Sequence, residues 1–319
     1  MNIIGPDAVV FGVDDIDVAA RYMTDFGLKP AGQVRDGLLF ETLDGTGVII
    51  CQANDPASPA PLSPTNKARK IIYGVADQQS LDEIAAELGK DREVRRLADG
   101  AIEALDDLDI PLVFQLTRRR ELSLPAEKIN APGAPLQRPV NCVGVDDQDA
   151  LPQVRSLGHF ALFVPDVAKA EAFYVQRLQF RVNDRLGGGP FMRSKGTQEH
   201  HTMFLIQTPP QLKGIEHMAF HLGGPSEVMQ AGNRFRDLGH TSFWGPGRHN
   251  FGSNWFWYFD GPLGCRFEYD ADMDKHDDDW VPREVPLHAD NAQAYLMEML
   301  EENWAPFDGP RKPVVSSAG

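Results

Sequence analysis

The sequence predicts an α+β protein of two domains. Each is a pair of strand-helix-strand-strand-strand modules, whose mixed sheet curves into a partly closed barrel with helices outside. Three observations predict this fold. The two halves of the 319-residue chain share one order of apolar and turn residues, each half repeats that order internally, and a turn-rich stretch separates them. That length suits two domains of ordinary size.

The elements can be read in order. "VVFGVDDIDVAARYMTDFGLKP" (9–30) is a strand, an Asp-led helix start, a helix with Ile16, Ala19, Ala20 and Met23 on one face, and a Gly stop. "FALFVPDVAKAEAFYVQRLQFRV" (160–182) has the same plan. "LLFETLDGTGVIICQ" (38–52) and "PFMRSKGTQEHHTMFLIQ" (190–207) each read as two strands around a Gly-bearing turn. "KIIYGVADQQSLDEIAAELG" (70–89) and "IEHMAFHLGGPSEVMQAGNRFRDLG" (215–239) each read as a strand, then a helix ending in Leu-Gly. A further strand pair closes each half. Domain boundaries follow: 1–122, a Pro-rich linker at 123–150, 151–287, and a C-terminal helix and tail at 288–319, with helical spacing over 288–304.

Composition narrows the functional classes. Hydrophobic residues make up 42% and charged residues 24%, as in ordinary globular proteins. The formal net charge of −15 argues against nucleic acid and anionic membranes as partners, since both select cationic faces. No apolar stretch approaches a membrane span, and three scattered cysteines suit a reducing cytoplasm, where the protein is expected to reside.

Histidine usage separates the two halves. All nine lie beyond residue 158. On the strand "LGHFALFV", His159 faces opposite to Phe160 and Leu162, and on "IEHMAFHL", His217, Ala219 and His221 share a face. On "CRFEYD", Glu268 shares the face of Arg266. Two imidazoles and a carboxylate converging inside a curved sheet would leave metal positions open for substrate and oxygen, as in non-haem Fe(II) oxygenases. A buried Glu268 needs a partner, and Arg266 competes with a metal for that role. His200 is expected to face away from its neighbour His201.

These residues carry a resemblance. The duplicated module resembles the vicinal oxygen chelate superfamily, and the C-terminal half resembles the type I extradiol ring-cleavage dioxygenases. Gly247, His249, Trp257, Tyr258, Gly261, Pro262, Gly264 and Glu268 follow that family's signature order. The resemblance implies extradiol cleavage of a catechol-type diol by O₂ at a mononuclear Fe(II) centre, Mn(II) being the alternative ion. It implies His159, His217 and Glu268 as metal ligands and His201 as acid/base. It also implies that His249 and Tyr258 bind the diol oxygens, with Asn250 and Phe251 beside the substrate. The first half would be a degenerate, non-catalytic copy, with Asp7 or Ala8 opposite His159 and Lys70 near the position of His217. Its relatives imply a homo-oligomer. A glyoxalase-like lyase or isomerase is the alternative.

Other signals are weaker. "DADMDKHDDDW" (270–280) lacks the Gly and Glu of a calcium loop and reads as a solvated acidic edge. "LGGGP" (186–190) reads as a hairpin turn, and "TRRRE" (117–121) as an interface or strand end. His221 reads as a packed histidine or a neighbour of the metal site.

Overall fold

A computed structural model describes residues 1–145 and 150–298. The first half runs β1 (Ile3–Val13), α1 (Ile16–Phe26), β2 (Lys29–Val34), β3 (Gly37–Glu41), β4 (Gly47–Gln52), β5 (Ala68–Val75), α2 (Gln78–Leu88), β6 (Arg95–Arg96), β7 (Ile102–Leu105) and β8 (Pro111–Leu116). The second half repeats it: β9 (Ser156–Val164), α3 (Val167–Ala172), β10 (Arg181–Leu186), β11 (Gly189–Arg193), β12 (Met203–Gln207), β13 (Gly214–His221), α4 (Pro225–Asp237), β14 (Ser242–His249), β15 (Trp255–Asp260) and β16 (Arg266–Ala271). β17 (Arg283–Val285), α5 (Ala289–Ala292) and β18 (Gln293–Leu296) follow. α3 continues through one π-helical stretch, Phe173–Arg177.

The sheets have the strand orders β2-β3-β4-β1-β5-β8-β7-β6 and β17-β10-β11-β12-β9-β13-β16-β15-β14-β18. In each, the two modules meet through one antiparallel pair, β1 with β5 and β9 with β13, while the other central pairings are parallel. This is the α+β mixed-sheet architecture predicted from the module repeat.

Helix starts follow local chemistry. Asp15, Asp77 and Asp166 each accept a backbone N–H at the first turn of α1, α2 and α3. α4 lacks such a residue and begins at Pro225; Glu127, from the segment between the halves, reaches over to accept from the Ser226 N–H at 3.0 Å.

Side-chain alternation divides each sheet into two faces. Val9, Phe11, Tyr73 and Phe114 from the first sheet share one core with Phe160, Leu162, Phe220, Phe267 and Tyr269 from the second, with the helices packed between. Phe26 of α1 stacks on Tyr269 at 3.9 Å, and Tyr269 donates its hydroxyl to the Phe26 carbonyl at 2.8 Å. On its other face the first sheet closes over its own aliphatic cluster, including Ala8, Val10, Ile72 and Val113. The corresponding face of the second sheet lines a cavity.

Two expectations need correction. The helix expected over 288–304 is a single turn, Ala289–Ala292, after which Gln293–Leu296 pairs with β14; residues 299–304 and the tail lie outside the described residues. The acidic edge is not uniformly solvated, because Asp270 is fully buried. "LGGGP" does form the β10–β11 turn. Arg119 of "TRRRE" donates to the Pro6 and Leu157 carbonyls, tying the halves together.

Candidate metal centre

Three adjacent strands build the site by register. His159 on β9 lies opposite Ala219 on β13, which in turn lies opposite Glu268 on β16. His217 sits two residues before Ala219 and so shares its face. The small Ala219 side chain at the centre leaves space for three longer ones to converge. His159 Nε2 and His217 Nε2 are 3.4 Å apart, and each is 3.5 Å from Glu268 Oε2. A point equidistant from three such atoms lies ~2.0 Å from each, against metal–nitrogen and metal–oxygen bonds of about 2.0–2.2 Å. Glu268 Oε2 is buried and makes no hydrogen bond among the described residues. A buried carboxylate oxygen without a donor is costly, and a dication removes that cost. The donor set therefore fits a divalent metal ion.

Electrostatics agree. Burial would raise the Glu268 pKa, but His159, His249 and His217 face it and hold it below the usual carboxylate range. Burial lowers His159, with Glu268 pulling the other way. Burial would lower His217 too, but the adjacent Glu216 carboxylate outweighs it and the net shift is upward. Arg266 is not the partner of Glu268: it pairs with Glu216 and Asp260. Glu216 bridges Arg266 and His217 Nδ1, so it orients the imidazole whose Nε2 faces the centre.

His201 lies beside the centre, its ring 4.1 Å from that of His159. His200 does not turn away from it, contrary to expectation: His200 Nδ1 is 2.9 Å from His201 Nδ1, and His200 Nε2 is 2.8 Å from Asp184. His200 belongs to the loop before β12, so strand alternation does not govern it. The chain of contacts assigns the tautomers. Asp184, held ionised by His200 and Arg283 against its burial, only accepts. His200 therefore donates through Nε2 and accepts at Nδ1 from His201 Nδ1–H. That leaves His201 Nε2 as a bare lone pair in a side chain that lines the cavity. Burial, then the surrounding imidazoles, drive the His201 pKa well down, so the ring is neutral at pH 7.

Across the cavity, Tyr258 pairs in register with Glu268, and its hydroxyl is 3.1 Å from His249 Nε2. His249 donates Nδ1–H to the Ala292 carbonyl at 2.9 Å, which fixes that Nε2 as an acceptor. Burial, then Glu268, push the Tyr258 pKa well up, so the phenol stays protonated. The cavity between these groups measures 280 Å³, and seven strands, β9 to β15, contribute to its wall. The sheet must therefore curve around it. Phe251 lines this cavity, whereas Asn250 is exposed and donates to the Asp290 and Gln293 carbonyls. Asn250 thus anchors the β18 segment and does not face substrate space.

Of the remaining histidines, His276 packs against the Trp280 ring and His288 lies beside Asp290. His221 pairs with Asp270 at 2.6 Å, and His240 with Asp25 at 2.9 Å. Asn254 bridges toward Glu268 and Asp270 at 3.5 and 3.3 Å. Asp184, Glu216, Asn254 and the Ala292 carbonyl were not foreseen from sequence. Only Glu216 carried a local signal, a charge adjoining His217 in an apolar strand.

The first half has no equivalent centre. By register, Ala8, Lys70, Ile72, Val113 and Glu103 occupy the positions of His159, His217, Ala219, Glu268 and Tyr258. Ala8, not Asp7, therefore corresponds to His159. Lys70 Nζ is buried against Asp36 at 2.9 Å and Glu103 at 3.1 Å, so a fixed ammonium provides the cation on this side.

Similarity to known proteins matches this geometry. Residues 156–269 match the model of the Glyoxalase/Bleomycin resistance protein/Dioxygenase superfamily. Metapyrocatechase 2 of Cupriavidus necator is 36% identical over 121 residues, 38% of this chain and 37% of the relative. A manganese-dependent 2,3-dihydroxybiphenyl 1,2-dioxygenase of Geobacillus genomosp. 3 is 28% identical over 123 residues, 39% of this chain and 38% of the relative. The matched segment thus spans little more than a third of either relative. Among solved structures, a Mn(II)-bound glyoxalase from Novosphingobium aromaticivorans superposes with a TM-score of 0.71 at 19% identity, covering 92% of this chain and 91% of that one. Homoprotocatechuate 2,3-dioxygenase from Arthrobacter globiformis gives 0.68 at 18% identity, covering 92% and 88%. The shared fold thus covers 92% of the chain, and residues 156–269 form a domain of the Glyoxalase/Bleomycin resistance protein/Dioxygenase superfamily.

Proposed function

We propose that the protein cleaves the ring of a catechol-type diol on the extradiol side, with O₂ as co-substrate and Fe(II) or Mn(II) held by His159, His217 and Glu268. One observation carries the reading. Three buried donor atoms lie 3.4–3.5 Å apart, and the two histidines among them line a cavity that His201 and Tyr258 also line.

A divalent ion there would supply the Lewis-acid and redox chemistry that brings a diolate and O₂ together. The side chains do the rest. His201 Nε2 takes the proton from a diol hydroxyl and returns it later, a task suited to a neutral imidazole. Tyr258 donates a charge-assisted hydrogen bond to the oxygen that has lost its proton, and His249 Nε2 accepts from the other diol hydroxyl. Phe191 and Phe251 wall the space and keep water from the opened ring. Two imidazoles and a carboxylate suit Fe(II) and Mn(II) alike, and we infer Fe(II). A glyoxalase-like lyase is disfavoured because Ala8, Lys70 and Val113 give the first half no ligand set. The three cysteines, all free, accord with a cytoplasmic location, and a homo-oligomer is the assembly we infer.

The test is aerobic incubation of metal-loaded protein with catechol and methylcatechols, watching for the yellow ring-opened semialdehyde. Fully loaded protein that opens none of these rings, yet isomerises a hemithioacetal, would transfer the assignment to the glyoxalase branch.

A further inference from the structure

Building on the ring-cleavage reading, we propose that this cavity selects diols with an uncharged, apolar ring substituent and rejects those carrying a carboxylate, with Glu216 as the discriminating residue.

The wall facing the diol-binding groups is hydrocarbon. Phe163, Leu186, Phe204, Ile206 and Phe243 line it, from three strands and the start of a fourth. Among the described residues, no lysine or arginine lines the cavity. A ring carboxylate would lose its water against such a wall and gain no partner, a penalty that grows steeply in an apolar enclosure.

The nearby arginines are committed elsewhere. Arg266 lies over the Phe243 ring, 3.5 Å from its centroid, with its guanidinium on Glu216 and Asp260. Arg283 lies 5.0 Å from the Phe251 centroid and is held by Asp184. Both rings line the cavity, whereas neither guanidinium does. The one charged side chain on the wall, apart from the histidines, is negative. Glu216 lines the cavity, and its orientation is fixed from both sides by His217 and Arg266. A carboxylated diol would therefore bring like charges together, which costs several-fold to many-fold in affinity. A methyl or other hydrocarbon substituent meets only favourable contacts.

The experiment compares 4-methylcatechol with 3,4-dihydroxyphenylacetate on metal-loaded protein, by turnover in air and by calorimetric binding without oxygen. The expected result is a preference of roughly tenfold or more for 4-methylcatechol in both kcat/KM and Kd. Glu216→Gln keeps an acceptor for His217 and is expected to narrow the preference. Ile206→Lys, placed away from the metal ligands, is expected to improve binding of the carboxylated diol. Equal or tighter binding of 3,4-dihydroxyphenylacetate by the unaltered protein would overturn the inference while leaving ring cleavage intact. Selective binding of 4-methylcatechol without opening of either ring would instead count against the ring-cleavage reading on which the inference rests.

Discussion

His217 and His201 are the same residue type in the same cavity wall, yet they differ by what their nitrogens face. His217 Nε2 points at the other two donors, whereas His201 presents a lone pair to the cavity after its Nδ1–H is satisfied by His200. His217→Ala is therefore expected to lose bound metal. His201→Ala should retain it and lose about 10²–10⁴-fold in turnover, the usual scale of a positioned acid/base. Metal analysis beside kcat separates the two, and metal retained in His217→Ala would refute the ligand assignment. His221 gives a stability prediction. Burial would lower its pKa, but Asp270 outweighs this and pushes it up to about 9. A folded-state value above the unfolded ~6.5 means that the pair stabilises fully below that pH and loses its contribution as pH rises through about 9. Urea unfolding at pH 7 and 9.5 should show a loss of about 2 kcal/mol that His221→Phe lacks. The candidate metal ligands were legible in sequence because His159, His217 and Glu268 sit in strands, where alternation assigns faces. His200 and Asn250 sit in loops, where no period applies, and both faced otherwise than expected.

At the level of elements, strand register positions the chemistry and helix packing sets its tolerance. α4 contains Gly232 in its interior, and propensity alone would make Gly232→Ala stabilising by about 0.8–1 kcal/mol. Packing opposes this. A Cβ at Gly232 would come within 1.9 Å of the Trp257 ring, which is fully buried and held by a 2.8 Å hydrogen bond to Ser242. A rigid, anchored indole cannot yield cheaply, and overpacking of this kind costs roughly 1–3 kcal/mol. Gly232→Ala should therefore lower the melting temperature, and a rise would mean that Trp257 moves freely. Helices predicted from an Asp cap and an apolar stripe formed where expected, because those signals are local. The end of the chain did not: Gln293–Leu296 has helical spacing, yet its backbone groups are claimed by the open edge of β14. Pairing to a distant edge leaves no local trace.

The whole molecule is organised around one core shared by the two sheets, with Phe26, Tyr73, Phe160 and Tyr269 all within it. The first half thus does structural work for the half that carries the candidate metal centre, and this predicts that the two unfold together. All five tryptophans lie beyond residue 243, so indole fluorescence reports only on the second half. Ile72 belongs to the cluster enclosed within the first half, on the face turned away from the shared core. Ile72→Ala should cost about 2–5 kcal/mol, the usual range for a buried aliphatic truncation. With one cooperative unit, that cost appears in full in the tryptophan transition, although the altered residue touches none of the reporting rings. Bound metal should offset part of it, by about 2.7 kcal/mol when the free ion is at 100 times its Kd, since the ion binds only the folded site. If the halves were independent, Ile72→Ala would leave the fluorescence midpoint where it was, while circular dichroism recorded an earlier, separate loss of the first sheet.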